Sequence, residues 1–349
     1  MRNKTNKNTS PWVRRIAIIG ACLIAGALVI AAYLLMGPNT RSFGDKKYFY
    51  VPTGSRYDDV LKGLSDQEII SSTSTFNLVA RQLGYPSRVK AGRYEIKKGM
   101  SNLEIVRILR SGKQSPVKLV INKLRLKNDF IRLVSNNLEA DSAAMRAILE
   151  DPVYLRQFGL DTTTVMAAVM PNTYEFYWNT SAAKVFDKIS DAYETFWNDT
   201  RKQKAAALNL TPVQVTVLAS IVEEETNRND EKPVIASVYL NRMKKGMRLG
   251  ADPTVKFALQ NFALRRIYNT HLEFDSPYNT YRYYGLPPGP ICTPSAKSID
   301  AVLTPAETDY LFFAARPDGS GYHSFAVTFK EHLENARAYQ KGLNARGIK

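Results

Sequence analysis

The sequence predicts an α+β protein that a single N-terminal transmembrane helix attaches to a membrane. Residues 16–36 form an apolar run without one charge, and a helix of about 20 such residues can cross a bilayer core. The rest of the chain mixes short alternating segments with segments of helical periodicity, which indicate strands and helices respectively. With 44% hydrophobic and 23% charged residues, the chain as a whole is neither disordered nor of low complexity.

The charges beside the apolar run predict its orientation. Residues 1–15 contain no acid and five basic residues, which are Arg2, Lys4, Lys7, Arg14 and Arg15. Such a tail stays in the cytoplasm, so the chain from residue 38 onward is expected outside the cytoplasmic (inner) membrane of a bacterium. The run is longer than the apolar region of a signal peptide, and no small-residue cleavage pattern follows it. This favours a retained anchor over a cleaved signal peptide or a buried core helix.

Charge and cysteine content exclude several function classes. A net charge of +16 first suggests nucleic acid, an anionic membrane surface or an acidic polymer as a partner. Export argues against nucleic acid. Two cysteines cannot build a disulfide framework, and the one outside the anchor, Cys292, is expected as a free thiol or a core residue. The three histidines are scattered and no Cys/His cluster has zinc spacing, so we expect no metal and no cofactor.

Residues 45–122 are predicted to form a small α+β module. Ser101 and Glu104 make a capping box for one of its helices, which Gly112 ends. The patterns predict strands over 48–51, 91–96 and 117–121, and helices over 58–64, 76–83 and 103–110.

The next part of the chain is mostly helical up to residue 210, with a break at residues 170–178. Four aromatic residues lie within five positions there. A buried core strand or lid is the favoured interpretation, and a surface that stacks on substrate is the alternative.

A sharply defined helix then begins at Thr211. Thr211 and Gln214 form a capping box, and Pro212 occupies the first helical position. At 100° per residue the apolar face centres close to Leu218, and Glu225 falls at about 340°, inside that face. A carboxylate in apolar surroundings has a raised pKa and can act as a general acid near neutral pH.

Two alternatives remain at this helix end. Glu225 could be a structural carboxylate paired with a nearby arginine, of which the sequence offers Arg228, Arg242 and Arg248. Glu223 and Glu224 fall outside the apolar face and are expected to be solvated or to play a supporting part.

Farther on, the loops at 278–281 and 285–291 are rich in amide, hydroxyl and aromatic groups, which suit a sugar polymer, although generic turns look similar.

Six motifs occur in a fixed order: LASIVEEET, ASVYLNR, DPTV, YNTY, GLPPGPI and HSF. Together they resemble the MltG (YceG-like) family of endolytic peptidoglycan transglycosylases. The resemblance implies a LysM-like module at 45–122, a helical connecting region at 123–164 and a YceG-like catalytic domain at 165–349. Its catalytic glutamate falls on Glu225. The sequence departs from the family's motifs at two positions. Gly250 stands where the family commonly has glutamine, and Asn172 stands where it has aspartate.

The resemblance also implies a mechanism. Glu225 would act as general acid and then as general base in cleaving the β-1,4 bond between N-acetylmuramic acid and N-acetylglucosamine, leaving a 1,6-anhydro end. The candidates for saccharide binding are Asn241, Arg242, Asp252, Thr254, Tyr278, Asn279, Tyr281 and His323. Implied partners are peptidoglycan strands, penicillin-binding synthases and elongation or division complexes.

Two rival functions stay open. One is a catalytically silent scaffold that binds peptidoglycan. The other is a conventional muramidase, for which Asp252 would be the second carboxylate. The resemblance further predicts that Glu225→Gln abolishes the anhydro product with the fold intact and that Glu223→Gln retains most activity.

Overall fold

A long apolar helix, a small α/β unit and a larger, mostly helical unit make up the chain. The computed structural model describes residues 11–264 and 266–345. The described residues divide into a first unit, 11–117 with 177–179, and a second unit, 118–176 with the rest of the chain from 180. The predicted α+β class is confirmed.

The apolar helix, α1, extends over Pro11–Met36. Its length and apolar composition are sufficient to cross a membrane, and they fit a membrane anchor or a signal sequence equally. It begins five residues before the predicted apolar run, so Arg14 and Arg15 lie in its first turns. The other three basic residues of the predicted tail, at positions 2, 4 and 7, lie outside the described residues.

After α1, the first unit packs three helices against one two-stranded antiparallel sheet. Strand β1 (Lys46–Val51) pairs with β2 (Gly92–Lys97). The helices are α2 (Tyr57–Asp66), α3 (Thr73–Gln82) and α4 (Asn102–Ser111). The core between the layers includes Phe49, Phe76, Tyr94, Ile105 and Leu109.

Strand β3 (Val117–Ile121) differs from the prediction in its partner. It pairs with β4 (Asn172–Phe176) of the second unit, whereas the sequence assigned it to the first module. Its alternating pattern fits either sheet equally well, so sequence periodicity could not identify the partner.

The second unit contains the remaining elements. They are α5 (Lys127–Asn137), α6 (Ser142–Glu150), α7 (Pro152–Arg156), a 3₁₀ turn (Val165–Ala167), α8 (Ala182–Phe196), α9 (Asp199–Ala207), α10 (Pro212–Glu225), α11 (Lys232–Lys244), α12 (Asp252–Ala258), α13 (Asn269–Leu272), α14 (Ala296–Leu303), β5 (Phe312–Ala315), β6 (His323–Ala326) and α15 (Phe329–Ala345). Strands β5 and β6 form an antiparallel hairpin sheet.

The aromatic run at 174–178 does not act as one surface. Tyr174 and Phe176 alternate inward from β4 and are buried, as a core strand requires. Tyr177 is exposed, and Trp178 packs edge-on against Tyr50 within the first unit, with ring centroids 5.1 Å apart.

Helix α10 is the centre of the second unit. The predicted capping box is present, because Thr211 accepts a hydrogen bond from the Gln214 backbone and Gln214 accepts one from the Thr211 backbone. Residues 215–222 are buried without interruption, and contacts with α9, α11, α12, α14 and the 3₁₀ turn surround them. The prediction of one apolar face is therefore wrong: every face of this helix is covered.

Candidate active site

Three consecutive glutamates end α10, and their partners differ. Glu223 accepts hydrogen bonds from Lys232 Nζ at 3.1 Å, from Ser295 Oγ at 2.6 Å and from the Ser298 hydroxyl. Burial disfavours its charged form, but these donors prevail and hold the pKa of Glu223 below its ordinary value. Glu223 thus joins α10 to α11 and α14.

Glu224 is held in the same way by two other cations. Arg125 donates to it from Nη2 at 2.7 Å and from Nε at 3.2 Å, and Lys123 Nζ lies at 3.1 Å. Burial again opposes ionisation, yet the pKa of Glu224 is lowered by this pairing. Neither Glu223 nor Glu224 is a solvated side chain, so of the two expected alternatives the structure favours the supporting part.

Glu225 has no ion pair among the described residues. It is partly exposed, and the burial of its carboxyl group raises its pKa to about 7. The negative charge of Asp252 acts in the same direction, while the charges of Lys256 and Arg242 oppose the rise. The predicted alternative of an arginine pair is not what the described residues form. Glu225 can hold a proton near neutral pH.

Tyr239 fixes one oxygen of this carboxyl group. Its hydroxyl donates to Glu225 Oε1 at 2.5 Å, and its ring packs edge-on against Phe313 with centroids 5.9 Å apart. Burial keeps the pKa of Tyr239 well above its ordinary value, so the phenol stays a hydrogen-bond donor. Tyr239 is not among the residues predicted from the sequence. Its position three residues before Arg242 on one helix is the signal that could have identified it.

Asp252 is the second carboxylate at the site. It is the first residue of α12 and is exposed. Tyr281 donates to Asp252 Oδ1 at 2.6 Å, and burial raises the pKa of Tyr281. Lys256, one helical turn after Asp252, was also missed by the sequence analysis, although its i, i+4 spacing places it on the same helix face.

Thr254 and Asn279 lie behind this surface. Both are fully buried. Thr254 Oγ1 donates to the Ala251 carbonyl at 2.7 Å and lies 2.8 Å from Thr280 Oγ1. Asn279 donates to two backbone carbonyls within its own loop. The structure therefore places these two predicted saccharide contacts as supports of Asp252 and Tyr281.

Asn241 and Arg242 support the segment that leads into β5. Asn241 donates to the carbonyls of Thr308 and Tyr310 at 2.7 and 3.1 Å. Arg242 donates to the Leu311 carbonyl at 2.6 Å and to the Leu249 carbonyl. Of the two, only Arg242 influences Glu225, through its charge.

The two departures from the family pattern differ in their surroundings. Gly250 has φ +57°, and a Cβ there would lie 3.2 Å from Arg242 Nη1; glycine suits this left-handed backbone. Asn172 is exposed at the start of β4 and accepts a hydrogen bond from the next backbone amide.

His323 lies one aromatic ring away from Tyr239. Its backbone amide donates to Glu231 Oε1 at 2.8 Å, and its Nδ1 lies 3.0 Å from Glu231 Oε2. Its ring packs edge-on against Phe313 at 5.3 Å. The structure thus places His323 beside the site in a pair with Glu231 and not against Glu225.

Tyr278 faces a separate cleft along α12. Its ring lies 4.7 Å from that of Phe257. The cleft has a volume of about 350 Å³ and is lined by Arg125, Leu126, Lys127, Asn128, Arg146, Thr162, Thr163, Met166, Phe257, Gln260, Tyr278 and Pro290.

Cys292 is a free, buried cysteine whose thiol faces the Ser220 carbonyl at 3.4 Å.

The chain is similar to known proteins. The model of the YceG-like family matches residues 49–338. A Bacillus subtilis (strain 168) protein named endolytic murein transglycosylase is 29% identical over 342 residues, which is 92% of each chain. A Streptococcus pneumoniae protein of the same name is 26% identical over 330 residues, and the match covers 84% of this chain and 59% of that relative.

One solved structure matches as well. A crystal structure of a protein described as yceG-like, from Listeria monocytogenes, has 29% sequence identity and a TM-score of 0.57. The match covers 84% of this chain and 99% of that chain. The range matched by the family model contains all the residues placed around Glu225 above.

Proposed function

The chain belongs to the YceG-like family, and from that premise we propose that it is a membrane-anchored lytic transglycosylase that cuts peptidoglycan strands internally. The relatives named endolytic murein transglycosylase support the substrate and the reaction class. The observation that carries the proposal is Glu225, whose pKa of about 7 leaves it protonated in a large fraction of molecules at neutral pH.

In the first step, Glu225 donates its proton to the oxygen that joins N-acetylmuramic acid to N-acetylglucosamine. Tyr239 occupies Oε1, so Oε2 is the oxygen that faces the substrate. The bond between this bridging oxygen and C1 of the muramic acid breaks as the proton arrives. The resulting carboxylate is stabilised by the Tyr239 hydroxyl and by the charges of Lys256 and Arg242.

In the second step, the same carboxylate accepts the proton of the muramic acid 6-hydroxyl. The 6-oxygen then bonds to C1 and closes the 1,6-anhydro ring. One C–O bond has been exchanged for another, Glu225 is protonated again, and no water is consumed. One general acid and base is therefore sufficient.

Asp252 stabilises the positive charge that develops at the sugar ring between these steps. It is exposed and held by Tyr281, and its charge is felt at Glu225. A carboxylate so placed favours an oxocarbenium-like transition state.

The remaining parts of the proposal rest on sequence and resemblance. Helix α1 is a retained anchor whose N-terminus lies in the cytoplasm, and the rest of the chain is extracytoplasmic. Residues 45–122 act as a LysM-like module, 123–164 as a connecting region and 165–349 as the catalytic domain. Synthases of the penicillin-binding class and elongation or division complexes are the partners that the resemblance implies.

A muramidase is the second candidate, because the exposed Asp252 beside Glu225 could activate water. Digestion of purified glycan strands by the full chain in heavy-oxygen water separates the functions. The proposal expects anhydro ends, lighter by one water than reducing ends, without heavy oxygen. Reducing ends that carry heavy oxygen would indicate the muramidase, and intact strands would indicate the silent scaffold.

A further inference from the structure

The cleft beside α12 is strongly basic. Arg125, Lys127 and Arg146 line it, and no Asp or Glu is among its described lining residues. A volume of about 350 Å³ is in the range of pockets that enclose a small organic group. A cleft with this charge selects an anionic ligand.

Much of this positive charge is not neutralised locally. Arg125 is paired with Glu224, but Lys127 Nζ donates to the Thr162 carbonyl at 3.1 Å and has no ion pair among the described residues. Arg146 is exposed and its pair with Glu150 spans 3.5 Å, a geometry that contributes little.

Asp161 precedes the lining residues Thr162 and Thr163, and it is already hydrogen-bonded within its own loop. Asp161 Oδ1 accepts hydrogen bonds from the backbone amides and the hydroxyls of Thr163 and Thr164, at 2.7 to 2.9 Å. It serves the loop that forms one wall. Lys127 and Arg146 therefore remain available to a ligand carboxylate, which two cations bind with charge-assisted hydrogen bonds.

The other lining groups indicate a peptide and not a bare ion. Phe257 and Tyr278 form an aromatic wall, and Leu126, Met166 and Pro290 add apolar surface. Polar side chains also line the cleft, and those of Asn128, Gln260 and Thr163 each already make a hydrogen bond within the protein. Apolar surface with a few polar groups that fix orientation is typical of a site for an organic ligand.

The cleft lies close to the candidate active site along one helix. Arg125 also lines a smaller pocket of about 50 Å³ with Pro253 and Lys256, directly after Asp252. At 1.5 Å per residue, Phe257 lies about 8 Å from Asp252 along the axis of α12. A group in the cleft and a sugar at Glu225 can thus belong to one substrate molecule.

We propose that this cleft binds the peptide branch of the glycan strand, with Lys127 and Arg146 on a branch carboxylate. The inference rests on the proposed function, since murein carries peptides on its muramic acid residues. The cleft then distinguishes strands that bear peptides from bare strands and sets which sugar faces Glu225.

Binding to two kinds of strand tests the cleft separately from the chemistry. The full chain with Glu225→Gln is titrated with labelled glycan strands that carry their peptides, and with the same strands after an amidase has removed the peptides. We expect the peptide-bearing strands to bind about tenfold more tightly at low salt, with a difference that shrinks as salt is added. Lys127→Glu combined with Arg146→Glu should abolish the difference and weaken binding of the bare strands less, since these keep only the lactyl carboxylate that the amidase exposes.

The matched control is Lys202→Glu, which reverses an exposed lysine of α9 outside the cleft. It should preserve the difference, and Lys127→Arg should retain most of it. Equal binding of both strands by the parent, or an equal loss on both strands in the reversal variant, overturns the proposal. The wild-type product ends decide the proposed function independently, because a chain that makes no anhydro ends can still bind peptide-bearing strands more tightly.

Discussion

At the scale of single residues, the three glutamates that end α10 differ in the groups that bind their carboxylates as well as in burial. Glu223 and Glu224 are each held by at least one cation, and Glu225 by a neutral phenol. Burial raises the pKa of Glu225 by more than the Tyr239 hydrogen bond and the charges of Lys256 and Arg242 lower it. Glu225 was selected from its direction on the helix, and its catalytic part stays a prediction, because residues 215–222 of α10 are buried on every side. The missing information was where Lys232 and Arg125 lie.

The raised pKa predicts the pH dependence of activity. The acid form of Glu225 is required in the free enzyme, so kcat/KM should fall tenfold per pH unit above about pH 7. The same shift also predicts how the free energy of unfolding depends on pH. Because the pKa of Glu225 is higher in the folded than in the unfolded chain, Glu225 stabilises the fold at low pH. This stabilisation is lost as the pH rises from 4.5 to about 7. A rate that stays constant from pH 6 to 9, with binding unchanged, would contradict this assignment.

Tyr239→Phe should move that pH profile. The Tyr239 hydrogen bond lowers the pKa of Glu225, so its loss should shift the fall of kcat/KM to higher pH and lower kcat about tenfold. The control is Tyr283→Phe, which removes an exposed tyrosine–aspartate bond of 2.6 Å elsewhere in the second unit. A shift of the profile to lower pH would show that Tyr239 does not act through this bond.

Glu223→Gln tests the structural part of the same turn. It would leave Lys232, whose side chain is 4% exposed, without its ion-pair partner. Loss of one member of a buried pair costs about 3 kcal/mol of unfolding free energy, and the sequence-based prediction for this variant concerned its activity alone. Denaturant unfolding of the second unit measures it. An unchanged midpoint would mean that Lys232 finds another acceptor.

At the scale of elements, capping signals in the sequence predicted where helices begin, but periodicity did not predict which elements pack against a helix. Thr211 with Gln214 and Ser101 with Glu104 start α10 and α4 as predicted, because a cap is satisfied within four residues of chain. The periodicity of α10 was misread because it shows where a side chain points and not what covers the opposite face.

The loop at 278–281 illustrates the same limit. Its amides and hydroxyls looked suited to sugar, yet Asn279 and Thr280 are buried and hydrogen-bonded within the protein. Of this loop, Tyr278 lines the cleft, and outside the loop Asp252 is exposed while it accepts the Tyr281 hydrogen bond. Composition could not separate loop groups that bind a ligand from those that hold the loop itself.

Thr254→Val is the test at this scale. It keeps the shape of the side chain but removes its bonds to the Ala251 carbonyl and Thr280. We expect a loss of about 1 to 2 kcal/mol in unfolding free energy and a lower kcat, because the start of α12 that carries Asp252 is loosened. The control is Thr195→Val on α8, whose hydroxyl bonds a carbonyl of its own helix. Equal effects of both variants on kcat would exclude a positioning part for Thr254.

At the scale of the whole molecule, composition gave the charge but not its distribution over the units. Of the +11 outside the basic tail, residues 37–117 hold +7 and residues 118–349 hold +4. The segment next to the apolar helix thus carries most of the excess, where anionic lipid headgroups lie if α1 is an anchor. Three basic residues of the second unit, Arg125, Lys127 and Arg146, line one cleft.

The boundary between the two units could not be predicted from the sequence as well as the helix starts could. It falls at residue 117, inside β3, because the partner strand β4 lies about 50 residues later in the chain. Long-range strand pairing leaves no local signal, whereas a helix and its caps do. The motifs around Glu225 needed no such information, since each lies within one element or one loop.

The central claim is that Glu225 alone among the three glutamates carries the chemistry. The most direct measurement compares Glu225→Gln with Glu224→Gln, in the full chain, by the rate at which anhydro ends form on purified glycan strands. We predict that Glu225→Gln lowers this rate about 10²- to 10⁴-fold while circular dichroism and thermal unfolding show an intact fold, and that the folded Glu224→Gln variant keeps forming anhydro ends. Anhydro ends at the wild-type rate from Glu225→Gln would contradict the claim.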